Sequence, residues 1–307
     1  MDKELTLGVL VYNQGPFVGS LIDSIANQTI KNTPLVIIDN SSTDNSCNEI
    51  ENALLRHDFV KGVKFIRNIN NSGSAAGLNQ LLEHADTKYL AIIHGDDILS
   101  LNYVETIQSY ASRNKSFAAL NVTLKSFGNK DTTLLPRRFY TPLWTTNRIM
   151  NRILVCGLNP GVMPGSVLDR DFVLSRKLLK FDLPINGVED TLLWMRIIRS
   201  GGSISSIQEP CYHYRIHESQ FSYSDDRNSF YFGMARRITI QETSNLFERL
   251  LSSSEVAYEM RRFGARSRYV EGLGQEFLAH YKFFSIFRLF NIFARRIAKN
   301  LLIKRYR

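Results

Sequence analysis

Several short runs of this sequence place reactive side chains at the ends of apolar segments. IIHGDDIL delivers His94, Gly95, Asp96 and Asp97 in succession after an aliphatic stretch. Adjacent carboxylates repel unless a cation lies between them, and magnesium or manganese accepts carboxylate and diphosphate oxygens together. Asp39 ends VIID and opens DNSSTD. A carboxylate there can accept the imide N–H of uracil or thymine, a proton that cytosine lacks. Glu189 and Asp190 open VEDTLLWMRII, and Arg215 and His217 stand in YRIHESQFS, where the guanidinium could grip a phosphate. Each run also has a plainer reading. DNSSTD can be an Asx turn capping the next helix, and Asp96 and Asp97 solvated turn carboxylates. Acids are favoured at any helix start, and a lone histidine is commonly structural.

The elements that would carry these residues alternate over the first 122 positions. LTLGVLVY (5–12), PLVIID (34–39), VKFIRN (63–68), KYLAIIH (88–94) and FAALNV (117–122) have the length and aliphatic character of strands. FVGSLIDSIANQ, TDNSCNEIENALLR, SAAGLNQLLEHA and NYVETIQSYASR repeat apolar residues at helical spacing. Alternating strands and helices imply right-handed crossovers and a largely parallel sheet with helices on both faces. Ligands of such sheets sit beyond the carboxyl ends of the strands, which marks 12–15, 39–44, 68–73 and 94–97 as one surface. From 123 to about 165 the pattern decays into turn- and base-rich sequence. SVLDRDFVLSRKL then reads as a strand leading into a helix, VEDTLLWMRIIRSG as a helix stopped by Gly201 and Gly202, and CYHYRIH as a strand. Residues 226–307 contain no proline and read as mostly helical.

Composition narrows the classes. In 307 residues, 44% hydrophobic and 22% charged, there is enough apolar side chain for a large core, so general disorder is excluded. Three cysteines without a CxxC pair support neither a disulfide framework nor a zinc ribbon and suggest a reducing compartment. No basic leader and no run of 18 apolar residues is present, so a soluble or peripheral chain is expected. A net charge of +9 predicts attraction to an anionic partner.

VYNQGPFVGSLIDSIANQT, VIIDNSSTD, NSGSAAGLNQLLEHA, YLAIIHGDDIL, PGSVLDRDFV, GVEDTLLWMRIIRSG and YRIHESQFS, in that order over about residues 5–222, resemble the successive motifs of family-two glycosyltransferases with the GT-A fold. The resemblance implies an α/β fold: a Rossmann-like, mostly parallel sheet in a catalytic domain over 1–225, with a nucleotide-sugar half (1–122) and an acceptor half (123–225). A helical C-terminal extension would occupy 226–307. It implies inverting transfer from a nucleotide diphosphate sugar, with UDP-sugars the usual donors, to a glycan or lipid-linked glycan in cell-surface polysaccharide or lipopolysaccharide synthesis. Carried over by position, Tyr12 and Asn13 line the nucleotide pocket and Asp39 reads the base. Asn68, Gly73, Asn79, His94, Asp96 and Arg215 complete the nucleotide-sugar site. Asp96 and His217 would hold Mn2+ or Mg2+, with Asp97 an alternative ligand. Asp190 would be the general base, and Gly165, Ser166 and Glu189 would lie on the acceptor side. Two departures stand out: His94 replaces the first carboxylate of the family's Asp-x-Asp, and DNSS replaces the commoner Asp-Asp-Gly-Ser.

A sugar nucleotidyltransferase is the enzyme alternative, but no glycine-rich loop followed by Arg or Lys comes after the first strand. A non-catalytic binder of an anionic surface is the third reading; no nucleic-acid-binding signature is found. From Phe277 onward there are eight bases and no acid, with Phe283, Phe287, Phe290, Phe293, Ile297 and Leu301 on one side of a helical wheel. Such a helix would lie on an anionic leaflet, placing the chain on the inner face of the cell membrane, or pack on the catalytic domain or a dimer partner.

Overall fold

The computed structural model describes residues 4–57, 62–114, 117–128, 139–140, 161–180 and 189–220. The expected helical extension and basic tail over 226–307, and the boundary at 225, lie outside them. Within them the chain runs β1 (Leu5–Val11), α1 (Gly15–Ala26), β2 (Leu35–Asp39), α2 (Ser46–Arg56), β3 (Val63–Arg67), α3 (Ser74–His84), β4 (Tyr89–His94) and β5 (Ile98–Leu99). It continues through α4 (Tyr103–Arg113), β6 (Ala119–Gly128), β7 (Phe139–Tyr140), β8 (Val167–Asp169), α5 (Arg170–Ser175), α6 (Glu189–Arg199) and β9 (Ile204–Ile216).

The strands form one sheet in the order β3-β2-β1-β4-β8-β6-β9-β5, with β7 on the edge of β6. β3, β2, β1 and β4 are parallel. β8 is antiparallel to both β4 and β6, β5 antiparallel to β9, and β6 and β9 parallel to each other. Helices cover both faces because the strands alternate. Leu7, Val9, Leu35, Ile37, Ala91 and Ile93 pack into one apolar cluster with α1, α2 and α4. Val36, Ile38, Leu90 and Ile92 pack into the other with α3, α5 and α6. Burying such a side chain contributes about 1.5–3 kcal/mol, and period-two alternation sends successive residues to opposite faces.

The second half of the sheet departs from the expectations. β6 extends to Gly128 and β9 begins at Ile204, seven residues before CYHYRIH. Their register slips on both sides of Thr123, and Thr123 faces Pro210 there. Proline lacks a ladder donor and is tolerated at such a bulge, so a strand that looks broken in sequence is continuous. β5 is only two residues long and carries no pattern of its own.

Gly165 and Ser166 hold this half to the first. Gly165 N–H donates to Ile92 O at 2.8 Å, Ile92 N–H to Ser166 O at 2.7 Å, and Tyr103 hydroxyl to Gly165 O at 2.8 Å. Ser166 is fully buried. These residues therefore sit inside the sheet, where they join its two halves. At φ +71°, a Cβ on Gly165 would stand 2.6 Å from the Tyr212 ring and 2.8 Å from Val122. Left-handed backbone and overpacking together should make Gly165→Ala unstable by about 3 kcal/mol. Urea denaturation should show this as a lower midpoint at unchanged slope.

Candidate active site

β1 lies between β2 and β4, so the order reverses there and opens a crevice at the carboxyl ends of the strands. Val11 pairs with Asp39 and Leu10 with His94 in the ladder. At about 4.8 Å per strand, Asp39 and His94 sit some 10 Å apart along one edge.

Asp39 is 2% exposed. Its Oδ2 accepts the Ser42 N–H at 3.0 Å, while its Oδ1 is buried and accepts no N–H or O–H among the described residues. Burial and this neighbouring carboxylate push the Cys47 thiol up to about 11. Tyr12 is exposed beside it, and Asn13, at φ +53°, takes a left-handed conformation that asparagine tolerates. Asn13 N–H donates to Ser42 Oγ at 2.9 Å and Asn13 Oδ1 accepts Thr43 N–H at 2.8 Å, so the two loops brace each other. Asp44 completes the brace, accepting Gly15 N–H at 2.9 Å and Ser46 N–H at 2.9 Å. Burial opposes its charge, but the Ser46 hydroxyl and these N–H groups outweigh it and hold the carboxyl below the usual range.

The residues of DNSS have distinct jobs. Asn40 Oδ1 accepts from Asn68 Nδ2 at 3.1 Å and from Ser72 N–H at 3.3 Å, and its Nδ2 donates to Asn71 Oδ1 at 2.9 Å and Gly73 O at 3.3 Å. It is thus the hub that shapes the 68–73 loop. Asn68 and Gly73 take part in that hub, and Asn79 donates to Leu179 O at 2.8 Å, so the side chains of Asn68 and Asn79 are engaged within the scaffold. Ser41, where glycine is commoner, has φ +66° and donates its hydroxyl to Ile69 O at 3.1 Å.

At the end of β4 the acids divide their labour. Asp97 is fully buried, its Oδ1 accepting Arg215 N–H at 2.7 Å and its Oδ2 the Tyr212 hydroxyl at 2.8 Å. Burial and the charge of Asp96 raise its pKa well above the carboxylate range. Asp96 Oδ2 instead faces His217 Nε2 at 3.0 Å, and the Asp96 carbonyl accepts Arg215 Nε–H at 2.7 Å. Ligand atoms of His94, Asp96 and Asp97 lie within 4.8 Å of one another. A carboxylate and imidazoles in one partly buried group suit a divalent ion such as manganese, whereas both oxygens of Asp97 are already committed. Ser219 Oγ lies 2.8 Å from His217 Nδ1, the orienting contact that a ligating histidine needs. Burial lowers the His94 pKa against the opposing charges of Asp96 and Asp190, so Asp190 stands close enough to act on it. Asp190 Oδ1 accepts the Thr191 hydroxyl at 3.2 Å, and Glu189 precedes it in the first turn of α6.

The Arg215 guanidinium lies over two rings, its Cζ 4.9 Å from the Phe17 centroid and 4.5 Å from that of Phe127. Burial lowers its pKa, while Asp96 and Asp97 oppose the shift. The Phe17 ring also lies 4.5 Å from the His217 ring. Phe17, Tyr212 and Asn40 are the contributors that the sequence reading missed as site residues. Phe17 looks like another core residue of α1, and Asn40 reads only as a departure from Asp-Asp-Gly-Ser.

The sequence profile of Glycosyl transferase family 2 matches residues 6–172, more than half of the chain. The chain belongs to that family. It is 28% identical over 225 residues to an uncharacterized glycosyltransferase of Haemophilus influenzae, covering 72% of this chain and 68% of that one. Its fold is similar to that of S. aureus TarS in complex with UDP-GlcNAc, with a TM-score of 0.60 and 17% identity over 87% of this chain and 74% of the other. It is also similar to the mannosyltransferase PcManGT of Pyrobaculum calidifontis in complex with GDP-Man and Mn2+, with a TM-score of 0.61 and 13% identity over 97% and 86% of the chains. The protein is a glycosyltransferase with a GT-A-like core that moves a sugar from a nucleotide-sugar donor to an acceptor.

The Asn40 hub explains how the chain departs from Asp-Asp-Gly-Ser. Asn40→Asp removes both Nδ2 donors and sets a second carboxylate beside Asp39 and carbonyl oxygens. Stability should fall by about 2 kcal/mol in urea denaturation, and calorimetry should show weaker nucleotide binding. Unchanged stability would contradict the hub.

Proposed function

We propose that the enzyme takes a UDP-sugar and transfers the sugar, with inversion, to a hydroxyl of a glycan or lipid-linked glycan acceptor of the cell surface. The observation that carries this reading is the buried Asp39 Oδ1, which has no N–H or O–H partner among the described residues, about 10 Å along the strand edge from the Asp96 group. An acceptor-only carboxylate oxygen in that position matches the imide N–H of uracil, and the separation suits a nucleoside whose diphosphate reaches Asp96. TarS, solved with UDP-GlcNAc, is in keeping with this choice, and PcManGT with GDP-Man supplies the competing base for the test.

Asp96 and His217, with His94 beside them, would hold Mn2+ or Mg2+, which when bound supplies positive charge against the diphosphate. Arg215, with the Phe17 and Phe127 rings against its guanidinium, adds a cation on the same side. Tyr12 lies against the base, while Asn13 shapes its loop. Asp190 takes the proton from the acceptor hydroxyl as oxygen attacks the anomeric carbon on the face opposite the leaving diphosphate. Glu189 lies next to it on the acceptor side. The enzyme works on the inner face of the cell membrane, where the basic segment from Phe277 meets anionic lipid; no helix among the described residues is long and apolar enough to cross a membrane.

Release of UDP from a panel of UDP-, dTDP- and GDP-sugars should be greatest with a UDP-sugar. Asp190→Asn should lower turnover by about 10²-fold or more while UDP affinity stays within a few-fold of wild type. Normal turnover in this variant would refute the base assignment, and preference for a GDP-sugar would refute the role of Asp39.

A further inference from the structure

His94 ends β4 at the position where Asp-x-Asp opens with a carboxylate, and an imidazole there changes the donor set of the whole group. Its backbone N–H donates to the Tyr212 hydroxyl at 3.1 Å, which holds the main chain at the strand end. No described residue hydrogen-bonds its ring, so both ring nitrogens are open to a ligand.

Asp97 is not available to an ion. Its Oδ1 and Oδ2 already accept Arg215 N–H at 2.7 Å and the Tyr212 hydroxyl at 2.8 Å, and taking either away would undo the tie between β9 and the end of β4. What remains is one carboxylate, Asp96, with two imidazoles, His94 and His217. His217 Nε2 stands 3.0 Å from Asp96 Oδ2. Adjacent ligands of one ion are about 3 Å apart when the bonds are near 2.1 Å. The ligand atoms of His94 and Asp96 lie within 4.8 Å of each other. Opposite ligands of one ion are about 4.2 Å apart, so a small side-chain rotation brings both to a common centre. The side chains of His217 and Asp96 are only 15% and 10% exposed, which leaves water little room to take the place of an imidazole.

We propose that His94 makes this a nitrogen-rich ion site, which takes a first-row transition ion such as Mn2+ and turns Mg2+ away. The inference rests on the ion at Asp96 proposed above and adds which ion the residues select. Magnesium favours oxygen ligands in a near-ideal octahedron and sheds its water reluctantly. Two imidazoles put nitrogen in two of those six positions. Manganese, cobalt and zinc accept imidazole and carboxylate together. The donor diphosphate and water complete the shell for any of these ions, so the three protein atoms decide between them. An aspartate at 94 would supply a second carboxylate and relax the choice.

Pulsed electron paramagnetic resonance of the full chain loaded with Mn2+, and calorimetric titration of Mn2+ and Mg2+ with and without UDP, read the donor set and the preference separately. Wild type should show echo modulation from two imidazole nitrogens, and His94→Asp and His94→Asn from one. Wild type should bind Mn2+ about 100-fold more tightly than Mg2+, and His94→Asp should narrow that ratio by about ten-fold or more. Asp96→Asn reports on the place of the ion, whichever residues assist, and should lose Mn2+ in both measurements. If Asp96→Asn loses Mn2+ while His94→Asp keeps two coupled nitrogens and the wild-type ratio, the inference is overturned and the ion at Asp96 stands. Mn2+ bound to wild type without two coupled nitrogens also overturns the inference. Wild-type Mn2+ binding by Asp96→Asn, or no Mn2+ binding by wild type, overturns the ion site together with it.

Discussion

The Asp97 carboxyl is the tie on which the catalytic end of the sheet depends. β9 and β4 are separated in the sheet by β8 and β6, and at this end they meet through the two-residue β5, which follows Asp97 and pairs with β9 at His213 and Tyr212. Asp97 bridges them by accepting Tyr212 hydroxyl at 2.8 Å and Arg215 N–H at 2.7 Å, and Tyr212 oxygen in turn accepts His94 N–H at 3.1 Å. Together with the β5 pairing, that bridge places Arg215 and His217 beside Asp96. A carboxyl buried this deeply is costly unless its oxygens are satisfied, and here both are. The two adjacent acids therefore divide along burial: one is spent on structure, and the other is left beside two imidazoles.

The same bridge sets the electrostatics. Asp96 and Asp97 counter the burial that lowers the Arg215 pKa, and the Phe17 and Phe127 rings lie within cation–π distance of the guanidinium. Phe17 comes from the first turn of α1, immediately after the loop that Asp44 braces. The nucleotide side and the metal side are thus mechanically connected through α1, although Asp39 and His217 are far apart in the chain.

Much of this was legible in the sequence because parallel α/β sheets obey a simple rule. An apolar run of strand length that ends in a polar residue places that residue at the carboxyl edge, and this places Asp39, His94 and Asp96 there from the sequence alone. The strand and helix expectations for the first half differ from the structure mainly at their ends, as with α2, which starts at Ser46 after a turn that Asp44 braces through the Gly15 and Ser46 N–H groups. What was not legible depends on partners distant in sequence. Tyr212 lies 115 residues from Asp97, and nothing in CYHYRIH distinguishes a hydroxyl that bridges strands from one that faces solvent. Gly165 reads as part of a loop motif, yet its role is set by the Tyr212 ring that would collide with a Cβ. Asn40 differs from a carboxylate only through the two donors that it turns toward Asn71 and Gly73.

His94 and Arg215 both lean on the Tyr212–Asp97 bridge, and Tyr212→Phe breaks it without removing a candidate ligand. Manganese affinity of this variant, measured by calorimetry on protein whose fold is verified by circular dichroism, is the most direct test. Loss of an orienting contact outside the ligand set should weaken manganese binding by about ten-fold or more. Wild-type manganese affinity in the folded variant would contradict the bridge as the constraint that builds the site.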